Sequence, residues 1–134
     1  MNNRSEIYVD GNWVASSGTE NIDVINPSTE EIIGSTPAGT KEDVDLAVKA
    51  AKEAFQGWSE TSLEERLSYI ENLAAKLGER SAEIGELISQ EVGMPGKMSM
   101  MIQAGLPATT TASISGTARE FPFEETIGLS LIHI

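Results

Sequence analysis

Cysteine is absent from the whole of this 134-residue sequence. That excludes disulfides, thiolate metal sites and a thiol nucleophile supplied by these residues. Basic residues are scarce, nine against twenty-one acidic ones, and a net charge of −12 repels phosphate backbones and anionic membranes. Neither nucleic acid nor membrane is expected as a partner. Aromatic side chains make up only 5% of the chain, which predicts an aliphatic, alanine-rich core. No window approaches the roughly 18 consecutive apolar residues of a membrane span, and the start "MNNRSEIYVDG" has no basic-then-apolar leader; the reading is a cytoplasmic protein. Twelve glycines form neither a G-x-G-x-x-G fingerprint nor a P-loop. The single histidine, His133, has no Asp or Glu at ligand spacing around it and reads as a surface residue.

What is present is organised in two parts. In "IYVDGNWVA", Ile7 and Val9 precede Asp10-Gly11 and Trp13 and Val14 follow, the pattern of a tight hairpin. "NIDVINP" and "EEIIGSTP" make a second β pair around Pro27 and Ser28. Residues 1–38 thus read as a β-hairpin layer. From Thr40 the period changes: Val44, Ala47, Val48, Ala51, Ala54, Phe55 and Trp58 form a helical stripe, opened by Thr40 and Asp43 as cap and ended near Gly57. Ser62 with Glu65 predicts a full capping box for a second helix with Leu63, Leu67, Ile70, Ala74 and Leu77 on one face, stopping at Gly78. Ser81, Ile84, Leu87, Ile88 and Val92 make a third, closed by Gly93 and Pro95. Beyond Pro95 the pattern predicts a broken helix that resumes after Pro107 and ends near Gly116 or Arg119. Residues 39–120 read as this helical layer.

The acid is concentrated from Glu60 to Glu91, eight Glu against three basic residues, which reads as a solvated helical face. Glu124 and Glu125 read as solvated loop acids, because adjacent residues point different ways. Met98, Met100 and Met101 at helical spacing read as core before pocket lining. Glu91 is the odd residue: a carboxylate at a helix C-terminus is disfavoured by the helix dipole unless a cation offsets it.

The blocks "IYVDGNWV", "VINPSTEEIIGSTPAGTKEDVDLAVKAAKEAF", "SLEERLSYIENLAAKLGER" and "ISQEVGMP" resemble the N-terminal segment of NAD(P)-dependent aldehyde dehydrogenases over residues 6 to about 128. The resemblance implies an α/β family fold of which this sequence holds N-terminal β-hairpins and three to four helices, incomplete, with residues 121–128 starting the connection onward. It implies an enzyme that oxidises aldehydes to carboxylic acids with NAD(P) through a cysteine thiohemiacetal, acting on small aldehydes as a homo-oligomer. The reacting cysteine, oxyanion Asn, general-base Glu and cofactor strands fall outside the matched region, so no catalytic or cofactor-binding residue is assigned and the chain alone is expected to be inactive. The competing expectation is a stand-alone, non-catalytic binding or regulatory module.

The resemblance also implies that the carbonyls of Val24 and Ile25, with Glu91, match positions holding a structural Na⁺ or K⁺ in some members. Met101, Ile102 and Leu106 would border the substrate entrance. In the family's E-x-G-K-P motif this chain carries Met94 where Lys is common. At the end, Leu129, Leu131, Ile132 and Ile134 alternate like a strand with nothing after it to pair with. "LSLIHI" is also what the sequencing-library adapter end CTGTCTCTTATACACATC encodes in one frame, so residues 129–134 are expected to be a non-native tail.

Overall fold

The computed structural model describes residues 2–128 and 130–133. In chain order these form β1 (Asn2–Asn3), β2 (Glu6–Val9), β3 (Asn12–Ala15), β4 (Asn21–Ile25) and β5 (Ile32–Pro37). Helices α1 (Lys41–Ser59), α2 (Leu63–Glu79), α3 (Ser81–Val92), a single turn α4 (Gly96–Met98), a π-helical segment (Ser99–Ala104) and α5 (Gly105–Glu120) follow. Strands β6 (Glu124–Ile127) and β7 (Ser130–His133) close the sequence of elements. No helix among the described residues is long and apolar enough to cross a membrane.

Strands β2 and β3 pair antiparallel, and their two-residue turn places Asp10 at φ 51° and Gly11 at φ 76°. Both angles are positive, as a type I′ hairpin turn requires. The register sets Tyr8 opposite Trp13, and their rings meet edge to face with centroids 5.3 Å apart. The second sheet has the order β1-β5-β4; its antiparallel β4–β5 pair was expected, and the parallel β1 was not. The six residues between β4 and β5 fold on Asn26, whose side-chain oxygen accepts from the Ser28 N–H and whose carbonyl accepts from the Glu30 N–H.

The cap of α1 does more than start a helix. Thr40 and Asp43 form the reciprocal capping box, and the Asp43 carboxylate also accepts from Ser16 Oγ at 2.6 Å and the Ser17 N–H at 2.9 Å. The buried Asp43 therefore ties the end of the β2–β3 hairpin to the positive end of α1. These donors, Ser16 first and then the Ser17 and Thr40 N–H groups, hold its carboxyl well below the usual carboxylate range. A group depressed in the folded state stabilises fully above its unfolded value, about 3.9, and that contribution is lost as pH falls below it. The urea midpoint is therefore expected to drop on acidification below about pH 4, and Asp43→Asn is expected to lower it at neutral pH while flattening that acid limb. An acid limb unchanged in the variant contradicts the assignment.

Other expectations change in detail. At α2, Ser62 accepts from the Glu65 N–H, but Glu65 does not return a bond, so half the predicted box forms. The helix ends fall where expected, α1 two residues beyond Gly57 and α2 one residue beyond Gly78. At the α1 terminus, Arg66 reaches back to donate to the carbonyls of Ser59 and Thr61 at 3.2 and 2.8 Å. It places positive charge at the end of a helix that has no basic residue in its last turn.

The core lies between elements distant in sequence. Leu67 (3% exposed) and Ala74 of α2 are buried against α5, whose Ala108, Thr111, Ser115 and Ala118 form a stripe of small residues at helical spacing. Arg119 locks this pair with a bidentate bond to Glu64 and a second to Glu71. Neighbouring helices α2 and α3 barely touch, although only Arg80 separates them.

Helix α5 begins at Gly105, not after Pro107, so the predicted break is displaced. Pro107 is the third residue of α5, in a run that is helical without a break from Gly96 to Glu120. The irregularity is instead taken up by the π segment before it. The end strand does have a partner: β6 and β7 form an antiparallel hairpin around Gly128 at φ 62°. Glu124 and Glu125 accordingly lie on a strand, not in a loop. Of the residues expected to form the tail, Leu129 and Ile134 lie outside the described ones.

Candidate functional site

The blocks that carried the resemblance meet in space. Helix α3 ends in Gly93, at φ 72°, and a Cβ there would come within 2.9 Å of the Pro27 ring. Only glycine offers both the left-handed backbone and that close approach. The Gly93 N–H donates to the Ser89 carbonyl, and Ser89 Oγ donates to the Met94 carbonyl at 2.7 Å. The "NPST" turn and the "EVGMP" turn thus form one junction between the sheet and α3.

Beside this junction, Val24 of β4 and Glu91 of α3 line one small cavity of about 60 Å³ with Ile33, Gly34, Leu87 and Gln90. It opens beside a wider groove of about 550 Å³ that Arg4, Ser35, Thr36 and Glu83 also line. Of the three residues assigned to a monovalent cation, two are therefore brought together. Ile25 is not among the lining residues; it follows an irregularity in the β4–β5 register and is 54% exposed. Among the described residues no cluster of three or more His, Cys, Asp or Glu is arranged for a metal. One carboxylate with carbonyl oxygens suits a hard, singly charged cation better than a transition metal.

The segment after Pro95 is held by a contact that sequence reading missed. Gly85 of α3 lies so close to the π segment that a Cβ on it would stand 2.9 Å from the Met100 Cα. Ser99, wholly buried, donates its hydroxyl to the Gly85 carbonyl at 2.6 Å. The only signal in the sequence is two small residues, each among larger neighbours. This contact fixes where Met101, Ile102 and Leu106 stand. All three are exposed, Met101 by 64%, and they do not line the cavities around Glu91. They form an open apolar surface rather than an enclosed channel. Met98 and Met100 are exposed as well, so the methionines are not core.

The remaining shifted carboxylates have structural causes. Arg119 holds Glu64 below the usual range, and Arg80 does the same for Glu83. Among the described residues both of these carboxylates are ion-paired to arginine.

The chain is 37% identical over 138 residues to 3-succinoylsemialdehyde-pyridine dehydrogenase of a Pseudomonas species, an alignment covering 98% of this chain and 28% of that protein. Its fold is similar to the crystal structure of an aldehyde dehydrogenase from Bartonella henselae, with a TM-score of 0.92 at 33% identity over 96% of this chain and 27% of that one. Aldehyde dehydrogenase C of Pseudomonas syringae, crystallised as a mutant with NAD⁺ and octanal, gives 0.89 at 34% identity over 92% of this chain and 26% of that one. The chain therefore spans a little over a quarter of the length of the relatives it matches. The model of the aldehyde dehydrogenase family matches residues 13–128, and to that family the chain belongs.

Proposed function

We propose that this chain is the N-terminal framework of an NAD(P)-dependent enzyme that oxidises aldehydes to carboxylic acids, and that it carries none of the reacting groups. The observation that carries this reading is the family match over residues 13–128 in a sequence without cysteine. Oxidation by this route needs a thiolate to attack the aldehyde, donors to hold the oxyanion, a hydride acceptor, and a base to activate water for thioester hydrolysis. The chain has no thiol and no nucleotide fingerprint, so those groups belong to the portion of the relatives' length that it does not span. NAD as acceptor is supported by the NAD⁺ complex of the Pseudomonas syringae relative.

Within such an enzyme the residues here have two roles. Met101, Ile102 and Leu106 form one wall of an apolar entrance whose other wall lies elsewhere in the subunit, which favours hydrophobic aldehydes. Glu91, with the carbonyls of Val24 and Ile25 and further oxygens from outside the chain, holds Na⁺ or K⁺ and offsets the negative end of α3. The complete enzyme is a cytoplasmic homo-oligomer. A stand-alone, non-catalytic binding or regulatory module, which would work through the exposed apolar faces, is the second reading.

The reading is tested by splicing residues 1–128 in place of the matching part of the 37% identical Pseudomonas dehydrogenase. The chimera is expected to keep aldehyde-dependent NAD reduction. A chimera that folds, by its circular dichroism and size, yet reduces no NAD would contradict the framework role.

A further inference from the structure

The π segment begins and ends on a small buried residue. Ser99 is wholly buried and Ala104 is 2% exposed, while Met100, Met101 and Ile102 between them are exposed. The two buried positions are five residues apart. In an α-helix that spacing would turn them about 140° from each other. Both face inward because the turn is wide, with the Gly105 N–H donating to the Met100 carbonyl five residues back.

Each end of this wide turn has its own anchor. Upstream, Ser99 Oγ donates to the Gly85 carbonyl of α3 at 2.6 Å, and the missing side chain at Gly85 lets the Met100 backbone close against that helix. Downstream, α5 packs on α2 and is tied to it by the bonds from Arg119 to Glu64 and Glu71. These contacts lie within the chain and stand whatever covers its open faces. With the upstream anchor gone, relaxation of the π turn to α would rotate residues 96–102 by about 100°, one residue of α-helix, against α5. Met101 and Ile102 would swing, and Leu106 on α5 would stay.

We infer that Ser99 is a positioning residue for substrate choice: its bond to Gly85 holds Met101 and Ile102 in register with Leu106. This rests on the reading that those three side chains form one wall of the aldehyde entrance. A long aldehyde, whose chain runs along the wall, depends on that register, and a short one does not.

Two measurements on Ser99→Ala test it. In the 134-residue chain, hydrogen exchange of the amides of residues 100–106 is expected to quicken about tenfold, the fold-change of one lost hydrogen bond, with α1 unaffected. In the chimera carrying residues 1–128, kcat/KM for octanal is expected to fall about tenfold relative to propanal, the lower end of what one methylene of contact is worth. That fall is expected in KM rather than kcat, with the KM for NAD unmoved. Unchanged exchange overturns the inference whatever the chimera does. So does an active chimera in which both aldehydes lose equally or neither loses, because Ser99 would then be a structural residue only. A parent chimera that reduces no NAD sinks the framework reading itself, and the inference falls with it.

Discussion

Gly85→Val is expected to destabilise the chain by about 3 kcal/mol, enough to remove much of the stability of a small domain. The position is helical and not left-handed, so glycine is not there for its backbone angles. It is there because the π segment crosses α3 at backbone contact, with the Met100 Cα 2.9 Å from where a Cβ would stand. Backbone cannot rotate away as a side chain can, so the two segments must separate. Separation also breaks the buried Ser99 bond to the Gly85 carbonyl, leaving a buried donor unpaired. Gly78→Ala is the control: nothing lies within 4 Å of its Cβ position, and the change is expected to stabilise α2 by about 0.5–1 kcal/mol. Urea unfolding followed by circular dichroism measures both. Equal effects at the two glycines would show that close packing at Gly85 is not what selects it.

A second large effect concerns the surface as a whole. Few apolar side chains are buried, among them Val9, Leu67, Ala74 and Ala104, while Phe55, Val92, Met101, Leu106 and Phe121 are about half or more exposed. Such a chain is expected to bind ANS strongly at neutral pH and to melt over a broader range than a closed domain of its length. A sharp, dye-free melt would mean that the exposed faces are self-sufficient, as a stand-alone module requires.

Local chemistry was readable in the sequence wherever it rests on neighbouring residues. Asp10-Gly11 specified its hairpin turn, Thr40 and Asp43 their cap, and Gly93 the end of α3, because each is decided by backbone angles and hydrogen bonds within a few positions. Contacts between distant segments were not readable. Nothing in "LPATTTASISGTARE" announces that its small residues will pack on α2, and Pro107 suggested a break that the fold takes up earlier, in the π segment. The second set of Asp43 partners, Ser16 and Ser17, lies across a change of element and was invisible for the same reason. At the candidate site, Val24 and Glu91 were linked through family resemblance and not through any spacing; the fold brings both to one cavity.

The central claim is that this chain supplies framework and surfaces but no reacting group. The most direct test is to incubate the purified 134-residue chain with NAD or NADP and a series of aldehydes, short and long, and to follow nicotinamide fluorescence. No aldehyde-dependent NADH or NADPH is expected at any enzyme concentration, because the sequence holds no thiol to form the thiohemiacetal. Aldehyde-dependent cofactor reduction that scales with the amount of chain and co-purifies with it would contradict the account.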